Sequence, residues 1–255
     1  MSELNELKKF CRSLADESGK IIRQYYRTDI SIETKSDESP VTVADKKSEE
    51  KMREMILKEF PSHGIIGEEF GEYNTDADYK WVLDPIDGTK SFVCGVPLFG
   101  TLIALTKNNE PILGVINQPI LNEYLIGDNS SAELNGKKTV VRSCDNLSPA
   151  ILLSSDHLTF GEFRTQAGFE KLIRKVKLYR MWGDCYGYYL VATGFADIMI
   201  DPIMSTWDLM ALIPVIRGAG GSITDYKGNN PVTGNSIVAT AGSIHDEVIK
   251  ILNEQ

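Results

Sequence analysis

Cysteine and histidine are scarce in this chain, with four and three among 255 residues. The cysteines stand at 11, 94, 144 and 185, and no two have C-x-x-C spacing. That excludes a disulfide framework and leads to the expectation of reduced thiols in a cytoplasmic protein. His63, His157 and His245 are too far apart to form a zinc motif. Positive charge is also short: Lys+Arg is 27 against Asp+Glu 36, a net charge of −9 with no basic run. A nucleic-acid footprint is therefore not expected. No apolar run approaches the ~20 residues that span a bilayer. The opening stretch Met1–Phe10 lacks the apolar core of a signal peptide. What remains is 42% hydrophobic and 25% charged, the balance of a folded globular chain. Its length suits one large or two small domains.

The stretch Trp81-Val82-Leu83-Asp84-Pro85-Ile86-Asp87-Gly88-Thr89-Lys90-Ser91-Phe92 organises the rest. Trp-Val-Leu predicts a short buried strand that Pro85 ends. Asp87-Gly88 predicts a tight turn, and Thr89 and Ser91 are suited to capping a helix start. Carboxylates suit hard divalent cations, and free N–H groups at a helix start suit phosphate. Taken alone, the same spacing also describes an ordinary surface turn.

Upstream, Leu4, Leu7, Cys11, Leu14, Ser18, Ile21, Ile22 and Tyr25 predict an amphipathic helix over residues 3–27. Residues 28–41 are polar and include Pro40, which predicts a loop or edge segment. A second helix is expected from about Asp45 to Phe60, with Asp45 in its first turn, where an acid also simply suits the dipole. Gly64–Gly67 predicts a strand that delivers Glu68-Glu69, and residues 72–80 read as a polar connection. Strands at 99–106, 111–117 and 123–127, then a hairpin about Asn135-Gly136, predict an antiparallel meander. Beyond a boundary near residue 145 the pattern alternates. Strands are expected at 151–154, 176–179, 196–200, 222–226 and 236–240. Helices are expected at 162–174, 188–193, 206–217 and 243–253, an α/β arrangement. Asp184, Asp201 and Asp208 fall at ends of these elements, where each alone reads as a cap or turn residue.

Taken in order, the motifs resemble the inositol-monophosphatase superfamily of metal-dependent phosphatases. The carriers are Glu68-Glu69 after an apolar strand, Asp84-Pro85-Ile86-Asp87-Gly88-Thr89, and Trp207-Asp208 followed by Gly218-Ala219-Gly220-Gly221. The resemblance spans nearly the whole chain. It implies a layered α/β/α/β/α sandwich, a homodimer and two or three Mg²⁺ ions. It implies that Glu68, Asp84 and the Ile86 carbonyl hold one ion, that Asp84, Asp87 and Asp208 hold a second, and that Glu68 holds a third through water. Gly88, Thr89 and Ser91 would take phosphate, while Thr89, Glu68 and Asp45 would orient the attacking water. Phosphoryl transfer of this kind rests on positioning and charge neutralisation, with no phospho-enzyme.

Within the superfamily the likeness runs to bacterial histidinol-phosphate phosphatases. Lys90-Ser91-Phe92 and Cys94 stand where inositol monophosphatases typically carry Thr-Asn-Phe and a His. Gly183-Asp184-Cys185 stands where they carry Gly-Thr-Ala or Gly-Ser-Ala. The implied substrate residues are Gly183, Asp184, Cys185 and Asp201. A neutral polyol needs neutral partners, whereas an aminoalcohol phosphate offers a cation to Asp184 and Asp201. Asp184 also reads as the cap of the following helix. The expected activity is hydrolysis of histidinol phosphate, a small phosphorylated metabolite of histidine biosynthesis. An inositol-1-phosphate or broad sugar-phosphate phosphatase and a catalytically silent binding homologue stand as alternatives.

Overall fold

In a computed structural model, which describes residues 3–29, 32–34, 40–164 and 166–254, the first apolar stripe forms helix α1 (Glu3–Tyr25). The polar segment after it contributes a short antiparallel pair, β1 (Ile32–Thr34) and β2 (Pro40–Thr42). Residues 30, 31 and 35–39 of that expected loop lie outside the described residues. Helix α2 (Val43–Glu59) starts at a reciprocal capping box between Thr42 and Asp45.

Strands β3 (Gly64–Gly67), β4 (Gly71–Tyr73) and β5 (Tyr79–Asp87) follow, so the polar connection at 72–80 is partly strand. A five-residue helix α3 (Thr89–Val93) leads to β6 (Gly100–Lys107), β7 (Glu110–Gln118), β8 (Glu123–Gly127), β9 (Ala132–Leu134) and β10 (Lys137–Thr139). They form an eight-stranded sheet in the order β10-β9-β8-β7-β6-β5-β3-β4. The meander expected from β6 onward is antiparallel throughout, and only β3 runs parallel to its neighbour β5.

The chain then changes sheets between Thr139 and Ile151. In order come β11 (Ile151–Ser154), α4 (Thr159–Phe163), α5 (Gln166–Ile173), β12 (Leu178–Arg180), α6 (Asp184–Ala192) and β13 (Ile198–Asp201). They are followed by α7 (Thr206–Leu209), α8 (Leu212–Gly218), β14 (Ser222–Thr224), β15 (Ile237–Thr240) and α9 (His245–Asn253). The second sheet is mixed, ordered β12-β11-β13-β15-β14.

Alternation along the strands explains the layering. Trp81, Leu83, Ile103 and Leu105 point to one face and bury the apolar stripes of α1 and α2. Val82, Leu102 and Ala104 point to the other face, where α6 and α8 fill the space between the two sheets. The outer face of the second sheet is covered by α5 and α9. The result is an α/β/α/β/α sandwich. Strands buried on both faces read as continuous apolar runs, as β6 does over Leu102–Leu105.

Three local expectations need correction. Pro85 does not end its strand. β5 continues to Asp87, and its register against β6 slips between Asp84 and Asp87, where a residue without an N–H costs no ladder bond. The periodic stretch 206–217 is two helices, because Pro214 cannot donate to the carbonyl of Met210, so the chain breaks after Leu209 and restarts at Leu212 with Pro214 in its first turn. The helix expected at 188–193 begins four residues sooner, at Asp184.

Helix α8 lies flush on the meander because two strand positions carry no side chain. A Cβ at Gly114 would sit 2.0 Å from the Ala211 carbonyl, and one at Gly127 would sit 2.4 Å from the Pro214 carbonyl. Gly114→Ala is expected to destabilise the chain by about 1–3 kcal/mol in denaturant unfolding, since backbone must move. A stability within error of the parent would show that α8 is not held this closely.

Candidate active site

Residues three apart in a regular strand face opposite sides of the sheet. The register slip in β5 undoes that rule and lets Asp84 and Asp87 face the same region. Asp208 reaches it from α7, where its carboxylate accepts the Ser205 N–H at 2.8 Å in a capping box. One oxygen from each of Asp84, Asp87 and Asp208 lies within 4.8 Å of the others. Glu68 follows β3, and its N–H donates to the Leu83 carbonyl on β5 at 3.2 Å, which sets it beside Asp84.

Full charges on two carboxylates 4.8 Å apart repel by about 3 kcal/mol at an effective dielectric near ~20. Burial adds to that repulsion, and both favour the protonated form. Burial, then Glu68, Asp87 and Asp208, raises the Asp84 carboxyl well above its usual range. Burial, then Asp184 and Asp208, does the same to Asp87. Asp208 is pushed up to about 7, chiefly by burial, with the Ser205 N–H opposing. The buried Oδ1 of Asp84 finds no hydrogen-bond partner among the described residues, and neither does Oδ1 of Asp45. An all-oxygen, like-charged, partly unsatisfied cluster is what a hard divalent cation completes. The residues present fit such an ion.

Gly88 turns the chain out of this cluster with φ 89°, a left-handed conformation that glycine tolerates. Thr89 does not cap α3 with its side chain. It is the first helical residue, and its hydroxyl donates to the Ile86 carbonyl at 2.9 Å. The N–H groups that open a helix lack intrahelical partners, and Gly88 and Thr89 are placed to offer theirs. Ser91 lines a neighbouring depression with Leu98 and Met181. Asp45 lies buried near Glu68, with its other oxygen, Oδ2, accepting from the Thr42 N–H at 2.9 Å and hydroxyl at 2.6 Å. Burial pushes Asp45 up to about 6.

A cleft of about 190 Å³ opens beside the acidic cluster, lined by Asp87, Lys90, Ser155, Asp184, Asp201 and Asp208 among others. Asp184 holds a left-handed backbone, φ 51°, and its N–H donates to Ser155 Oγ at 2.8 Å. Burial, then Asp201 and Asp208, pushes its carboxyl up to about 7, while Lys90 acts the other way. Gly183 is required there, because a Cβ would stand 2.2 Å from Ser155 Cα. The Cys185 N–H donates to Asp87, but its thiol packs in the core between the sheets. Asp201 accepts the Ser155 N–H at 3.1 Å on one oxygen and the Tyr188 hydroxyl at 2.8 Å on the other. It lines the cleft as a well-anchored group.

The structure thus gathers Glu68, Asp84, Asp87, Gly88, Thr89, Asp184 and Asp208 about one opening, with Asp45 behind Glu68 and Ser91 to one side. Sequence reasoning missed Ser155 and Tyr188, which tie Asp184 and Asp201 into one unit. Ser155 had a usable signal, since it follows the apolar strand β11 as Glu68 follows β3. Lys90 is the one cationic side chain among the described residues that line the cleft.

Comparison with known proteins gives a consistent picture. The sequence profile of the inositol monophosphatase family matches residues 3–255. The bifunctional phosphatase IMPL2, chloroplastic, of Arabidopsis thaliana is 45% identical over 248 residues, covering 95% of this chain and 71% of that protein. A histidinol-phosphatase of Chlorobaculum parvum is 39% identical over 221 residues, covering 86% of this chain and 85% of that protein. The solved structure of an inositol monophosphatase from Zymomonas mobilis superposes with a TM-score of 0.88 at 34% identity, covering 100% of both chains.

The raised carboxyls make stability depend on pH in a defined direction. Asp184 and Asp208 titrate at about 7 in the fold, against about 3.9 in an unfolded chain. Between those values the folded chain holds protons that the unfolded chain has released, so stability falls as pH rises through the window. With EDTA present, this cluster should lower Tm as pH rises from about 5.5 to about 7.5, and the Tm gained on adding Mg²⁺ should grow over the same range. A gain that shrinks or stays constant would contradict the cation assignment.

Proposed function

The chain belongs to the inositol monophosphatase family and is a metal-dependent phosphomonoesterase; from that premise we propose that it hydrolyses L-histidinol phosphate to L-histidinol and phosphate, as a step of histidine biosynthesis. The observation that carries the reading is Asp184, an acid placed in the cleft next to the phosphate-facing turn. A Cβ at Gly88 would come within 2.9 Å of Asp184 Oδ2, so the carboxylate borders the turn that offers its N–H groups. A substrate bearing an ammonium group near its phosphate ester would meet both features. Relatives named histidinol-phosphatase support the same choice.

In this reading two or three bound Mg²⁺ ions per chain would supply charge neutralisation of the phosphate and a lowered pKa for the attacking water. Asp84, Asp87 and Asp208, with Glu68 and the Ile86 carbonyl, would hold the ions. The N–H groups of Gly88 and Thr89 bind phosphate oxygens, with Ser91 bordering the same phosphate from the neighbouring depression. Glu68 and Thr89 orient the attacking water, and Asp45, titrating at about 6, stands behind Glu68 to receive its proton. Gly183 and Ser155 hold Asp184 in its left-handed conformation. Asp201 and the Cys185 N–H fix the walls on either side. A cytoplasmic homodimer completes the reading. Among the described residues no helix is long and apolar enough to cross a membrane.

Asp184→Asn is the informative substitution, because Asn tolerates the left-handed backbone that a β-branched residue does not. It should lower kcat/KM for histidinol phosphate by about 10–100-fold, the loss of a charge-assisted hydrogen bond. Inositol 1-phosphate hydrolysis should change little. Equal losses on both substrates, or a parent enzyme that prefers inositol 1-phosphate, would return Asp184 to a purely structural role.

A further inference from the structure

Helix α2 carries a second acid one turn beyond Asp45. Glu49 is 0% exposed, yet it takes no part in lining the cleft. Its Oε2 accepts the Glu69 N–H at 2.7 Å, and its Oε1 accepts the Phe70 N–H at 3.2 Å. Arg53, one turn further along α2, donates to Glu49 Oε1 at 3.1 Å and to the Gly71 carbonyl at 2.9 Å. The carboxylate also fills the space above Gly67, where a Cβ would lie 1.9 Å from Glu49 Oε1. The β3–β4 turn is therefore fastened to Glu49 through the Glu69 and Phe70 N–H groups and to Arg53 through the Gly71 carbonyl.

That turn carries Glu68. The residues after Glu68 have little apolar anchorage of their own: β4 is exposed along its length, and Phe70 is 50% exposed. An exposed edge strand such as β4, with no buried side chains, gains little positional accuracy from packing. Two consecutive backbone N–H groups donating to a buried carboxylate supply it instead, through charge-assisted bonds with fixed geometry. Glu68 is then held from both sides, its own N–H on the Leu83 carbonyl of β5 and the next two N–H groups on Glu49.

We propose that Glu49 is a positioning residue for catalysis, which fixes Glu68 relative to Asp45 and Asp84 by clamping the turn that bears it. The proposal rests on the reading that Glu68 acts on the attacking water. Glu49 itself touches neither substrate nor reacting atoms. Its role is distinct from that of Asp45 four residues earlier, although both project from the same face of α2.

A double-mutant cycle separates positioning from general support of the fold. Glu49→Gln keeps the shape of the side chain but puts an amide donor against a backbone N–H. It should lower kcat by about 10–100-fold, with KM little changed and cooperative unfolding retained. Added to Glu68→Gln, the same substitution should lower kcat no further. Losses that multiply in the double variant, or a Glu49→Gln enzyme with parental kcat, overturn the proposal. If Glu68→Gln alone leaves turnover intact, the catalytic reading of Glu68 fails and the proposal falls with it. Should Glu49→Gln fail to fold, Arg53→Met, which loosens the same clamp from its outer side, is put through the same cycle. It is expected to give a smaller loss that likewise vanishes in the Glu68→Gln background, and a loss that persists there overturns the proposal.

Discussion

Carboxylates repel one another, and this fold forces oxygens of Asp84, Asp87 and Asp208 within 4.8 Å, with Glu68 beside them. Left to themselves such groups take up protons, as the upward displacement of Asp84, Asp87 and Asp208 reflects. The arrangement is costly for the chain alone and favourable once a divalent cation enters. The same imbalance that weakens the bare fold is the source of its affinity for the ion. Much of the surrounding architecture can be understood as structure that keeps the cluster from relaxing apart.

Three pieces of chain have to be held for that. The register slip in β5 turns Asp84 and Asp87 to one side, and the Thr101 hydroxyl secures it by donating to the Pro85 carbonyl at 2.8 Å. The parallel partner β3 sets Glu68 alongside. Helix α7 contributes Asp208 and is carried by α8, which rests on the bare backbone of Gly114 and Gly127. The acids sit in the last part of β5, just after β3 and in the first turn of α7, so a largely apolar scaffold carries the reactive site at its edge. Ser155, just after β11, and Tyr188, on α6, brace Asp184 and Asp201 across the cleft from the cluster.

Much of this was legible in the chain. The Asp84–Thr89 segment, Glu68 after its strand and Asp208 in a first helical turn each carried a local signal, and their order pointed to the family. The layering followed from strands that read as unbroken apolar runs. What was not legible depended on pairing. Whether Pro85 ends β5 or sits in a bulge is decided by β6, which lies some fifteen residues on in the register. Tyr188 and Glu49 were silent because each acts through hydrogen bonds to another element, and single residues of these types have many ordinary uses; Ser155 carried only its place after an apolar strand. The break at Met210–Ala211 was visible in principle through Pro214, but the apolar period running across it hid the stop. The start of α6 was hidden because Asp184 adopts a conformation that non-glycine residues rarely take.

The acid cluster is expected to hold protons until a divalent cation displaces them. Calorimetric titration of Mg²⁺ into the chain at about pH 7, repeated in buffers of different ionisation enthalpy, reads cation binding and proton release together. With the Asp208 carboxyl pushed up to about 7 and those of Asp84 and Asp87 raised well above the usual carboxylate range, saturable binding should release on the order of one proton per chain. Binding without proton release, or no saturable binding at all, would contradict it.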